Sequence, residues 1–248
     1  MPASLLAEAR KQAAHLGLNL FGVVDAERFD ACQPKEQRLA RCHPRCGTVV
    51  VLGSGGRDFW QRFAQSCAQA AATVALPAPQ QFAGHCVRQV VARFHGRPPV
   101  GVVEPDRTCV SFSRLGEAAG FGTVSPVTGH LVHPEFGPWV TLRAALLFEG
   151  RPFGEVADAS ISDRFQPCCT CRQPCLKPSS EVLPADPVPP RHQGPCTVAC
   201  RCRCGCPIGR EHRDGIGEDA PSAPRPVHAL RRLFGVSVLQ FVPRFWRR

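Results

Sequence analysis

The chain has 248 residues, a net charge of +10 and fifteen cysteines. That length allows a sizeable core, with one large domain and one small one as the natural division. No apolar run reaches the ~20 residues needed to cross a bilayer. The opening residues, MPASLLAEAR, lack the charged start and apolar stretch of a secretory signal. A reducing cytoplasm is therefore the expectation. Structural disulfides are disfavoured there, and an odd cysteine count also fits them poorly.

Residues 4–15 read as a helix capped by Ser4, with Leu5, Leu6, Ala9, Ala13 and Leu16 along one side and Gly17 at its end. The apolar run 18–24 predicts a buried strand, followed by Asp25. Residues 26–46 are polar and irregular. Within them Cys42 and Cys46 flank His43, but two thiols do not close a metal site, so reduced, unliganded thiols are expected. A second strand over 48–52 runs into Gly53-Ser-Gly-Gly-Arg57 and a helix over 58–72. A strand, a glycine-rich turn and a helix N-terminus suit an anion. The spacing matches neither standard phosphate-loop pattern, and a plain tight turn is an equal reading.

Residues 76–80 form a loop, 82–94 a helix, and 96–99 a breaker before a third strand over 100–103. That strand ends at Glu104-Pro-Asp106. A short helix over 111–119 closes at Gly120, with Glu117 expected on its solvated face. Residues 120–126 and the aromatic-rich 130–139 are irregular, and 140–148 is a fourth strand with Arg143 in its middle. The alternation predicts an α/β fold with a central sheet and flanking helices over residues 1–160. A small irregular cysteine-rich, ferredoxin-like module follows at 161–212, and a basic tail at 213–248.

Nine of the fifteen cysteines fall between Cys168 and Cys206. Thiolates so dense ask for a metal, an iron–sulfur cluster or disulfides. Cys168-x2-Cys171-x3-Cys175 matches the last three ligands of a bacterial ferredoxin run, with Phe165 where the first would stand. A second set reads Cys196-x3-Cys200-x5-Cys206-Pro207, and the Cys-Pro ending is a usual close for a cluster loop. Cys169, Cys202 and Cys204 are spare thiols, and in an extended run Cys200, Cys202, Cys204 and Cys206 would face one side and bind zinc or Cu(I) as well. One or two [4Fe–4S] clusters, with zinc as the alternative, are the expectation. Residues 176–205 also read as text that a frameshift would produce.

Residues 201–248 hold ten Arg and four acidic residues. Such a tail suits RNA or another polyanion, beside the plainer reading of a solvated segment.

Three stretches carry a family resemblance. They are Asp106-Arg-Thr-Cys-Val-Ser-Phe-Ser-Arg-Leu-Gly-Glu-Ala-Ala-Gly-Phe-Gly122, then His133-Pro-Glu-Phe-Gly-Pro-Trp139, then the cysteine-rich segment. Together they resemble the epoxyqueuosine reductase family, above all its short ferredoxin-like relatives, over roughly residues 100–212. The resemblance implies a cobalamin between an α/β domain and a module with two [4Fe–4S] clusters. The clusters pass electrons to cobalt, and an epoxide on a tRNA base is reduced to an alkene. It implies Asp106 as the catalytic proton donor and the Gly120–Ser125 loop, with Gly122 and Thr123, as backbone against the corrin. His133 is a further candidate contact, beside a structural reading. Cys168, Cys171, Cys175, Cys196, Cys200 and Cys206 are the candidate cluster ligands, and an electron-donor protein is the implied partner. Two other functions stay open: a non-catalytic electron carrier or metal-binding module, and a zinc-stabilised basic RNA-binding protein.

Overall fold

The computed structural model describes residues 2–70, 79–105, 108, 110–126, 128–154, 165–171 and 206–212. The elements run α1 (Pro2–His15), β1 (Leu20–Asp25), α2 (Ala26–Ala31), α3 (Leu39–Cys42), β2 (Cys46–Gly55), α4 (Asp58–Ala70) and α5 (Pro79–Val91). They continue as β3 (Gly101–Val103), α6 (Phe112–Ala118), β4 (Thr123–Val124), β5 (Leu131–Val132), β6 (Val140–Glu149) and α7 (Pro167–Thr170).

Four strands form one sheet in the order β1-β2-β6-β3, and β4 pairs with β5 in a separate hairpin. These four are the apolar runs read from the sequence. Every pairing in the sheet is antiparallel. Its strands nevertheless read as continuous apolar runs, because helices cover both faces. Val50 and Leu52 of β2 join one core with Ala9 and Ala13 of α1, Phe59 of α4, and Val87 and Val90 of α5. Val49 and Val51 join the other with Phe29 of α2, Leu39 of α3, Leu115 of α6 and Leu131 of β5. Each such side chain taken fully out of water contributes about 1.5–3 kcal/mol. On the first face Phe94, Phe148 and Phe153 pack ring against ring, with centroids 4.9–5.9 Å apart.

Several polar groups inside the body have identifiable partners. Arg143, mid-strand in β6, lies over the Phe59 ring with its guanidinium carbon 4.1 Å from the centroid. The buried carboxylate of Asp25 caps α2 by accepting from the Arg28 amide (3.0 Å) and pairs with Arg151 (3.1 Å). Asp30 accepts from the amides of Leu39 (2.7 Å) and Ala40 (2.9 Å), fastening the start of α3. Burial pushes the Cys46 and Cys86 thiols up to about 11, which leaves both protonated at neutral pH. Among the described residues no helix is long and apolar enough to cross a membrane.

Candidate functional site

The candidate cofactor loop begins where α6 ends. Ser111 caps the helix by accepting from the Arg114 amide (3.4 Å). At the other end the Gly120 amide donates to the Glu117 carbonyl and the Phe121 amide to the Gly116 carbonyl, both at 3.0 Å. That double closure needs a left-handed residue, and Gly120 has φ +78°. Gly122 answers a different demand. A Cβ there would collide with the backbone of Val132 across the hairpin. Both glycines thus serve the chain's own packing.

Glu117 corrects the expectation of a solvated residue. Its side chain is only 16% exposed. One carboxylate oxygen accepts from the Thr123 hydroxyl (3.0 Å) and the Val124 amide (2.8 Å), and the other pairs with Arg114 (2.8 Å). The helix therefore holds the loop that follows it through one carboxylate, and Thr123 is a partner in that hold.

Ser125 comes next and is 1% exposed. Its amide donates to the His130 carbonyl (2.9 Å) and its carbonyl accepts from the Gly129 amide (2.8 Å). Its hydroxyl oxygen accepts from the Thr128 amide (3.3 Å). The Cys168 thiol lies 3.2 Å from that same oxygen. A candidate ligand from the cysteine-rich segment thus meets the candidate cofactor loop. Cys168 and Cys169 sit on α7, whose single turn closes with the Cys171 amide donating to the Pro167 carbonyl (3.2 Å).

The second described piece of the cysteine-rich segment, 206–212, docks elsewhere on the same body. Gly209 packs so closely on the Phe136 carbonyl that a Cβ would collide with it, and the Ile208 carbonyl is as close to Gly137. His212 meets the edge of the Phe136 ring, with centroids 4.9 Å apart. Arg57 donates to the Glu211 carbonyl (2.9 Å). Phe136 also stacks on His133 at 4.6 Å. His133 Nδ1 accepts from the amides of Glu135 (3.0 Å) and Phe136 (3.2 Å), which assigns its proton to Nε2. Burial holds its pKa below the usual histidine range; Glu135 opposes that shift and His212 adds to it. His133 therefore builds the turn that presents Phe136.

This arrangement also explains the glycine-rich turn after β2. A Cβ on Gly55 would enter the Phe136 ring, and one on Gly56 would come within 3.0 Å of His212 Nδ1. The space that reads from sequence as an anion cradle is filled by an aromatic ring and an imidazole. Phe136, Gly209 and His212 were not singled out beforehand. The signal lies in the Gly55-Gly56 pair, which marks a close approach without naming what approaches.

Asp106, Cys175, Cys196 and Cys200 lie outside the described residues, as does the basic tail. Among the described residues no cysteine is in a disulfide. Among them, too, no three His, Cys, Asp or Glu side chains converge as a metal site.

No protein-family model and no curated protein sequence matches the chain. Solved structures do. Epoxyqueuosine reductase from Bacillus subtilis, recorded with its catalytic aspartate loop swung out of the active site, superposes with a TM-score of 0.53 at 13% identity. The match covers 95% of this chain and 76% of that one. The fold is epoxyqueuosine-reductase-like. A selenomethionine-labelled epoxyqueuosine reductase aligns with a TM-score of 0.46 at 15% identity, over 71% of this chain and 52% of the other, so the chain spans about half its length.

Proposed function

We propose that the protein is an iron–sulfur reductase-like protein in which the cysteine-rich segment holds one or two [4Fe–4S] clusters. The observation that carries this reading is the Cys168–Ser125 contact. It joins a ferredoxin-spaced thiol to the loop that follows the Ala-Gly-Phe-Gly stretch, on an epoxyqueuosine-reductase-like body. The donor set fits a cluster in kind, since Cys168, Cys171 and Cys206 are outside any disulfide among the described residues. Cys175, Cys196 and Cys200 would complete it. A bound cluster supplies single electrons at low potential.

Asp106 is the proposed proton donor. Removing oxygen from carbon requires a proton, and a carboxylic acid beside apolar neighbours can give one. The proposed substrate class is an epoxide or a related oxygenated group on an RNA base, with an electron-donor protein as partner. The corrinoid link has less support. Gly120 and Gly122 meet demands within the chain itself. No step through cobalamin is derived.

Anaerobic purification tests the reading. The expected protein is brown, bleaches with dithionite, and contains iron and acid-labile sulfide in equal amounts. Colourless protein with stoichiometric zinc would overturn it in favour of a zinc-stabilised RNA-binding module. Asp106→Asn should abolish turnover while leaving iron and sulfide unchanged; full turnover would remove Asp106 from the chemistry. Added cobalamin that fails to co-elute would leave the cluster reading standing without the corrinoid.

A further inference from the structure

We propose that His133 is an acid-released latch: a proton taken up at its Nδ1 opens the tip of the 133–137 turn and frees the 206–212 piece from the body. The latch requires no metal at Cys206 and stands apart from the iron–sulfur reading. Backbone fastens the two ends of the turn, with the His133 amide donating to the Gly137 carbonyl (2.8 Å) and the Gly137 amide to the His133 carbonyl (2.9 Å). The imidazole fastens the tip. His133 Nδ1 accepts from the Glu135 amide (3.0 Å) and the Phe136 amide (3.2 Å). Phe136 is in turn the seat of the docked piece: Gly209 packs against its carbonyl, and His212 meets the edge of its ring.

A neutral imidazole gains a proton only at its unprotonated nitrogen. Here that nitrogen is the acceptor for two amides. A proton there replaces two attractive contacts with one N–H facing two others, so the charged ring cannot stay where the neutral ring sits. The Glu135 and Phe136 amides lose their acceptor, while the bridge to Gly137 keeps the ends of the turn in place. The displacement therefore falls on the tip, and on the Phe136 ring and carbonyl that it carries. The charged neighbours divide. Glu135, on the turn itself, favours the charged ring, and His212, on the docked piece, opposes it. Glu211 lies 3.6 Å from His212 Nε2, and Arg57, from the turn after β2, donates to the Glu211 carbonyl. The loop over 120–124, where a Cβ on Gly122 would come within 3.0 Å of the His133 Cα, brings no ionisable side chain. Burial outweighs Glu135, and the docked ring holds its proton less firmly than a free imidazole, whose ordinary value is 6.5. A group that binds its proton more weakly docked than undocked makes docking weaken as pH falls, by up to about tenfold per pH unit. The window opens below 6.5 and closes at the lowered docked value.

The test is amide hydrogen exchange on the full chain over a pH series spanning 6.5, corrected for the pH dependence of chemical exchange. Protection of the 206–212 amides should fall on the acid side by up to about tenfold per pH unit, while the amides of β2 and β6 keep theirs. His133→Asn, whose side-chain oxygen can accept the same two amides and does not titrate, should hold the piece protected across the range. His212→Phe keeps a ring against Phe136, removes the other proton site, and should retain the pH dependence. Flat protection in the unmodified chain overturns the inference. So does a slope that survives in His133→Asn, or one that disappears in His212→Phe. Should His133→Asn fail to dock at any pH, nitrogen-15 NMR of the imidazoles in the unmodified chain decides. Nδ1 of His133 should titrate over the range in which protection is lost; a ring that stays neutral through that loss overturns the inference. None of these outcomes depends on iron content, so the latch and the cluster reading stand or fall separately.

Discussion

The sheet body and the two docked pieces of the cysteine-rich segment are held by different physics. The body rests on two apolar cores, one on each face, in which many close-packed side chains share the stabilisation. The pieces at 165–171 and 206–212 rest on a few contacts with no slack. Among the described residues these include one thiol against one hydroxyl, one arginine on one carbonyl, one imidazole on the edge of a phenyl ring, and glycine backbone against the Phe136 and Ile208 carbonyls. The difference teaches where each region is fragile. The body should lose stability in proportion to volume removed, and the docked pieces should detach at single atoms.

The sharpest break in that contrast is expected from the core. Leu146→Ala, in a fully buried position of β6, should cost about 2–5 kcal/mol in urea denaturation and lower the stability of the whole body. Gly209→Ala should act on the other side of the comparison. Its φ of +67° and its contact with the Phe136 carbonyl both oppose a side chain. Backbone strain alone amounts to about 1–3 kcal/mol. Hydrogen exchange should show residues 206–212 opened and the sheet amides still protected. Equal loss of protection in the sheet would show that the two regions are one cooperative unit.

Glu117→Ala sits between the two. Removing the acceptor for the Thr123 hydroxyl and the Val124 amide should cost about 1–3 kcal/mol and loosen the loop that meets Cys168. Thermal denaturation measures the cost, and the iron content of the purified protein measures the loosening. Ser111→Ala removes only the cap of α6, about 1 kcal/mol.

The smallest effect is a pH slope. The folded chain holds His133 neutral below its ordinary value of 6.5. Below that pH the unfolded chain takes the proton first. Stability contributed at this position is therefore complete above 6.5 and declines as pH falls toward the lowered folded value. His133→Asn, whose side-chain oxygen can accept the same two amides, should flatten the slope in a pH series of urea midpoints.

Much of the body was legible in the sequence. The four sheet strands were visible as apolar runs such as Val49-Val-Val-Leu52, and their burial on both sides is what made them continuous rather than alternating. The helices announced themselves by period, and Gly120 by its position at a helix end. The failures have a common cause. Glu117 looked solvated because Arg114, three residues earlier, makes an ordinary surface pair; its other partners lie past a chain reversal that periodicity does not see. The Gly53–Gly56 turn looked like an anion site because a phosphate and a phenyl ring both require a missing Cβ. Only the fold brings Phe136 there from 81 positions along the chain. The Cys168–Ser125 contact was equally hidden: each residue belonged to a recognisable stretch, and nothing in the spacing said the two stretches touch.

Positions 55 and 136 occupy a single volume, and that carries a rule for how this chain can vary. A substituent at the first can be tolerated only if the second gives up its ring. The ring in turn supports both imidazoles and the seat of the 206–212 piece. A change more than 70 residues ahead of His133 in sequence would therefore be felt first at the far end of the cysteine-rich segment, and a compensating change would have to be sought in the His-Pro-Glu-Phe turn rather than beside the original lesion.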